Sequence, residues 1–193
     1  RGFKPEQVIG LGVDATGSTP LPVDQDGRPL AFQKRFAKDP DAMAWLWKDH
    51  TSVAEASEIT DLAQSLRPQF LAKCGGAYSS EWFFSKILHC RRVNAAVFDA
   101  AYLWVEISDW IPAMLTGTEN PGKLTVGVCG AGHKAMYNEQ WGGYPDEEFL
   151  AQLDPQLAQV CSRLPTRALT VDRSVGGLTK KWAKRTGLRE GVP

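Results

Sequence analysis

The chain has 193 residues, 43% of them hydrophobic and 23% charged, a balance that fits one globular domain, or one domain with part of a second. Lys and Arg number 22 and so do Asp and Glu, which removes the electrostatic case for nucleic acid or an anionic membrane surface as partner. No apolar run approaches the roughly 20 residues that span a bilayer; the most suggestive, 95–111, is broken by Asp99, Glu106 and Asp109. The opening Arg1-Gly2-Phe3-Lys4-Pro5 has no apolar signal-peptide core. Cys74, Cys90, Cys129 and Cys161 have neither C-x-x-C spacing nor a zinc-finger interval to His50, His89 or His133. They read as reduced, mostly core thiols of a cytoplasmic protein with no metal site.

In chain order, Val8-Ile9-Gly10-Leu11-Gly12-Val13 is a β-branched apolar run that predicts a strand buried on both faces. It leads into the small polar segment Asp14 to Thr19. The chain resumes at Pro20-Leu21-Pro22-Val23, turns at Asp24-Gln25-Asp26-Gly27, and is expected to return along 28–31 as a hairpin strand. The remainder reads mainly helical. Ser52-x-x-Glu55 has the form of a capping box; Val53, Ala56, Ile59, Leu62, Ala63 and Leu66 then recur at helical spacing, and Pro68 closes the segment. Further helices are expected over 80–92, 94–103 and 108–115, the last stopped by Gly117. Asp154-Pro155 pairs an N-cap with Pro at the first helical position, and a last helix is expected over 178–186 with Gly187 as its stop. No internal repeat occurs. The result is an α/β mixture rich in helix, with one apolar strand short of neighbours. There is no initiator Met, and the sequence reads as cut from a longer polypeptide.

Four segments could carry chemistry. Thr16-Gly17-Ser18-Thr19 follows the expected strand, where open α/β sheets bind ligands; it offers hydroxyls to a polyol, or is a plain turn. It is not a phosphate loop, since G-x-x-x-x-G-K-[ST] does not occur. Trp45-Leu46-Trp47-Lys48-Asp49-His50-Thr51 sets two indoles beside polar groups, as sugar sites do, or is two core aromatics before a solvated helix start. Gly75-Gly76-Ala77-Tyr78-Ser79-Ser80-Glu81-Trp82 is a hydroxyl-bearing loop or an ordinary helix entry. Cys129-Gly130-Ala131-Gly132-His133-Lys134 either lets a ligand approach the backbone, with Lys134 reaching a hydroxyl or phosphate, or is a mobile glycine loop. Trp141-Gly142-Gly143-Tyr144-Pro145 looks like a packed aromatic turn. No nucleophile triad can be assembled.

These same four segments, in this order, resemble the L-ribulokinases of the FGGY carbohydrate-kinase family over nearly the whole chain. Val8 to Asp14 with Thr16-Gly17-Ser18-Thr19-Pro20 looks like the family's strand and substrate loop. Trp47-Lys48-Asp49-His50-Thr51 resembles its W-K-D-H-T segment, where sister kinases carry W-x-D-x-R. Tyr78-Ser79-Ser80-Glu81-Trp82 and Ala131-Gly132-His133-Lys134 are more typical of ribulokinases than of xylulokinases or glycerol kinases. The resemblance implies an actin-like ATPase fold of RNase H-like domains. Residues 1–193 would form a partial N-terminal domain with large helical insertions. It implies phosphorylation of a ketopentose by Mg-ATP, with Thr16, Gly17 and Ser18 against the sugar, Lys134 hydrogen-bonded to it, and Trp47, Asp49 and Tyr78 walling the site.

Two departures matter. The family's D-x-G-T-x-S phosphate hairpin is missing, and its general-base Asp is expected beyond Pro193; Asp172 stands in the wrong context to replace it. ATP and Mg²⁺ are therefore expected of the parent enzyme and not of this chain, which alone is expected to be inactive. An FGGY kinase for xylulose or a polyol, and a non-catalytic sugar-binding module, are the alternative readings. Self-association through apolar surface is a further expectation.

Overall fold

Helix α1 spans Val53–Leu66 and turns Ala56, Ile59 and Ala63 inward at helical spacing. The computed structural model describes Gly2 and residues 4–193; Arg1 and Phe3, within the opening segment read for a signal-peptide core, lie outside the described residues. Against α1 pack α2 (Phe83–Val93) and α6 (Glu147–Leu153); α3 (Ala95–Ala100) packs on α2, and α7 (Pro155–Cys161) on α6 and α2. The entries of α3, α6 and α7 are capped as composition demands. The Asn94 side chain accepts from Val97 N, Asp146 from Phe149 N, and Asp154 from the amides of Gln156 and Leu157. Phe84, Ile87, Phe98, Phe149 and Leu157 fill the layer and are essentially inaccessible to solvent.

Strand β1 (Pro20–Val23) pairs antiparallel with β2 (Leu103–Glu106), in register Pro20 to Glu106 and Val23 to Leu103. The period of two sends Trp104 into the helical core and Leu103 and Val105 into a second one with Leu21, Val23, Ala113, Val126 and Ala131. Helix α4 (Ile107–Thr116) leaves β2 directly and ends at Gly117, whose φ of 74° makes it a left-handed stop. A two-residue strand β3 (Val126–Gly127) pairs parallel with β4 (Ala168–Leu169), α5 (Val128–Lys134) follows β3, and α8 (Lys180–Thr186) ends at Gly187.

Several expectations are corrected. Residues 8–13 form no strand: Ile9 is 85% exposed, Leu11 and Val13 are exposed too, and Leu11 N donates to Pro193 O instead of to a neighbouring strand. An extended segment without a ladder partner has nothing to make it a strand. The turn at 24–27 forms, with Gly27 at φ 78°, but its return is a single bridge from Val23 to Pro29 before a 3-10 turn at Leu30–Phe32. The capping box does not form. The Ser52 hydroxyl donates to Ser80 O at 2.7 Å, and Glu55 is buried beside His89 and Arg92. The helix expected over 94–103 stops at Ala100 because Leu103 is taken by the sheet. The glycine segment 129–134 is helical, and the aromatic turn at 141–145 forms with Tyr137 and Tyr144 rings 5.1 Å apart. All four cysteines are free thiols; Cys90 and Cys161 are buried and Cys129 is exposed. No helix of the described residues is long and apolar enough to cross a membrane.

Candidate functional site

The loop before β1 and the end of α5 meet. A Cβ added to Gly17 would lie 3.5 Å from Cε of Lys134, so the lysine stem runs directly over a glycine that leaves it room. The Lys134 ammonium lies 5.4 Å from the centre of the Trp82 ring, within cation–π reach. Thr16 and Gly17 are exposed, and the Thr16 hydroxyl is 3.1 Å from that of Thr19. A polyol placed over Gly17 would find hydroxyls on one side and an ammonium donor on the other.

Tyr78 belongs to the same neighbourhood from below. It is buried, its hydroxyl donates to Lys134 O at 2.5 Å and accepts from Phe84 N at 3.0 Å, and its ring packs edge-on against Trp82. It therefore holds the backbone of Lys134 in place and keeps no free donor for a ligand. Trp47 is half-exposed, while Trp45 is core. Asp49 accepts from Thr51 N and from the Thr51 hydroxyl at 2.9 and 2.6 Å. Partial burial raises the Asp49 pKa, but the Thr51 bonds with Lys86 and His89 outweigh it and hold the carboxyl below its usual range. His50 lies with its Nδ1 3.1 Å from the Ser80 hydroxyl and its Nε2 3.3 Å from Glu81.

Two residues that the sequence reading passed over join these parts. Lys86, on α2, is fully buried, and its three ammonium donors meet three carbonyls: Ser18 O and Leu46 O at 2.7 Å and Trp47 O at 3.3 Å. It thus ties the 16–19 loop to the 45–49 segment. Burial lowers its pKa to about 8, against the pull of Asp49, Glu106 and Glu81. Glu106, at the end of β2, accepts from Thr19 N through Oε2 at 2.7 Å, while its Oε1 is buried without a partner. Burial pushes its carboxyl up to about 7 and Asp109 adds to this, against the Thr19 amide, Lys86 and Lys134. Asp109, which accepts from Gly127 N, is raised by burial to about 6.

Ser18 lies between these charges. It is 2% exposed, its φ is 67°, and its hydroxyl has no partner. A serine in that backbone region costs about 1–3 kcal/mol and persists only where its surroundings impose it. Elsewhere, a shallow depression of about 550 Å³ on the solvent face of α1 is lined by none of the seven expected residues. Among the described residues no group of three or more His, Cys, Asp or Glu side chains is arranged to hold a metal ion.

The fold has a solved counterpart. Among solved structures the chain superposes on a xyloylose kinase from Brucella ovis with a TM-score of 0.66, over 94% of this chain and 32% of that one, at 18% identity. The chain thus shares the fold of about a third of that protein. Sequence gives more specific relatives. The chain is 46% identical over 188 residues to a ribulokinase of Vibrio parahaemolyticus, covering 97% of this chain and 33% of that protein. It is 41% identical over 187 residues to a ribulokinase of Shouchella clausii, covering 96% and 32%. No protein-family model matches the chain. It spans about a third of the length of the curated relatives it matches, and over that third its sequence is ribulokinase-like.

Proposed function

We propose that this chain is part of a cytoplasmic ribulokinase of the FGGY family, an enzyme of arabinose catabolism that phosphorylates L-ribulose to L-ribulose 5-phosphate at the expense of ATP. The observation that carries the reading is the 46% identity to a ribulokinase across 97% of the chain. The apposition of Lys134 and Gly17 supports it, because it sets a cationic donor beside an exposed backbone with hydroxyls. The actin-like arrangement of RNase H-like domains, with residues 1–193 in the N-terminal one, is part of the same proposal.

In this reading the chain supplies one wall of the ketopentose site. Lys134 donates to a sugar hydroxyl or carbonyl oxygen, Thr16 and Gly17 lie against the sugar with Ser18 buried behind them, and Trp47 and Asp49 border it. Tyr78 acts through the Lys134 backbone. Phosphoryl transfer needs positioned phosphates, metal and a group to accept the hydroxyl proton. In this proposal those parts come from the rest of the polypeptide, and this chain contributes the sugar-binding wall. The test is ATP consumption by the full-length polypeptide across a panel of L-ribulose, D-xylulose, ribitol and glycerol. A preference for L-ribulose upholds the proposal; a preference for xylulose or a polyol overturns the choice of sugar.

A further inference from the structure

The carbonyl of Ser18 and the amide N–H of Thr19 belong to one peptide unit, and each is gripped by a buried charge of the complementary sign. Lys86 donates to the carbonyl at 2.7 Å and Glu106 accepts from the N–H at 2.7 Å. In a trans peptide the two groups point in opposite directions, so the ammonium and the carboxylate stand on opposite sides of the unit. Turning the plane over would point the carbonyl at the carboxylate and the N–H at the ammonium, and both contacts would be repulsive. The plane is therefore locked in one orientation by groups 68 and 87 residues away in sequence. Ser18, in its left-handed conformation with an unpartnered hydroxyl, is the buried residue that follows exposed Thr16 and Gly17.

We infer that Lys86 and Glu106 are positioning residues that clamp the Ser18–Thr19 peptide and hold the Thr16–Gly17–Ser18 loop in its ligand-receiving form, so that sugar affinity is set from beneath the loop by groups that do not touch the sugar. This rests on the sugar-site reading above. A structural purpose alone is served more simply by glycine at position 18, which takes a positive φ without strain. The groups facing Glu106 are Lys86 of α2, Asp109 of α4, Lys134 of α5 and the Thr19 amide. Those facing Lys86 are Asp49, Glu81, Glu106 and Lys134. The clamp has both charges in place between the titration of Glu106 near 7 and that of Lys86 near 8, and it weakens on either side.

The test compares wild type, K86M, K86R and E106Q, with K134A as the contact control, by amide NMR and by calorimetry with L-ribulose. The Thr19 amide shift should titrate with a midpoint near 7. E106Q should abolish that titration, and K86M should raise its midpoint, since it removes a charge that favours the carboxylate; K86R should stay near wild type. Sugar binding should weaken by about tenfold in K86M and E106Q, as loss of a charge-assisted hydrogen bond implies, with partial rescue in K86R. Should K86M fail to fold, K86R and E106Q still decide the matter. A Thr19 titration untouched by E106Q overturns the clamp whether or not sugar binds. Wild-type affinity in E106Q and K86M beside weakened K134A overturns the clamp's bearing on sugar and leaves the sugar site standing. Absence of binding by wild type, with Thr19 titrating as expected, overturns the sugar-site reading and with it this use of the clamp.

Discussion

The layer of α1, α2, α6 and α7 and the loop beside Lys134 are held by opposite means. The helical layer rests on apolar side chains that are buried almost completely, and its α6 and α7 entries are capped by residues two or three positions away, as at Asp146 and Asp154. The loop rests on a few polar bonds to distant residues, chiefly Lys86 to Ser18 and Glu106 to Thr19. Apolar packing is spread over many contacts and indifferent to pH. A brace of buried charges concentrates its effect in two side chains and titrates with them. The first arrangement makes the domain stable; the second gives one surface loop a single conformation.

The largest way to break this comparison is in the core. Phe84→Ala empties a fully buried site on α2 and should cost about 3–5 kcal/mol, read from the urea midpoint at constant m-value. A smaller effect should come from pH. Glu106 has its folded pKa near 7 against an ordinary 4.5, and Asp109 near 6 against 3.8, so the folded chain holds these protons more tightly than the unfolded one. The stability this gives is complete below the unfolded values and is lost as pH rises through the folded ones. Between pH 4.5 and 7 the unfolding free energy read from the urea midpoint should therefore fall, by an amount on the order of 1–3 kcal/mol for each carboxyl, and E106Q should flatten the part due to Glu106. A midpoint that rises across that window would show that the carboxyls are not held as described. Smallest is Asp154→Ala, which removes the cap of α7 and should cost about 1 kcal/mol with no change in the Thr19 amide shift.

The same contrast decides what was legible in the sequence. Helices α1, α4, α7 and α8 were visible because their spacing, N-caps and stop residues lie within the elements themselves, as with Asp154-Pro155 and Gly117. Strand β2 was hidden, because Leu103-Trp104-Val105-Glu106 continues a run that reads as helix and only pairing with Pro20–Val23 makes it extended. The reverse error occurred at Val8–Val13, where composition favoured a strand and no partner strand pairs with it. Of the expected site residues, Lys134 meets Gly17 and the Tyr78 hydroxyl, and Lys86 joins the carbonyls of Ser18 and Trp47, but Tyr78 lies beneath the surface with its hydroxyl committed. Lys86 and Glu106 went unseen because their partners are backbone atoms far along the chain, a kind of contact that spacing and side-chain type do not encode.

The central claim is that Lys134 and the Gly17 loop form a sugar-binding wall within this chain. Calorimetric titration of the 193-residue chain with L-ribulose, in wild type and Lys134→Ala, tests it most directly. The account expects a dissociation constant on the order of millimolar or tighter for wild type, weakened several-fold in Lys134→Ala while the urea midpoint is unchanged. Binding undiminished by Lys134→Ala, or no detectable binding by folded wild-type chain, would contradict it.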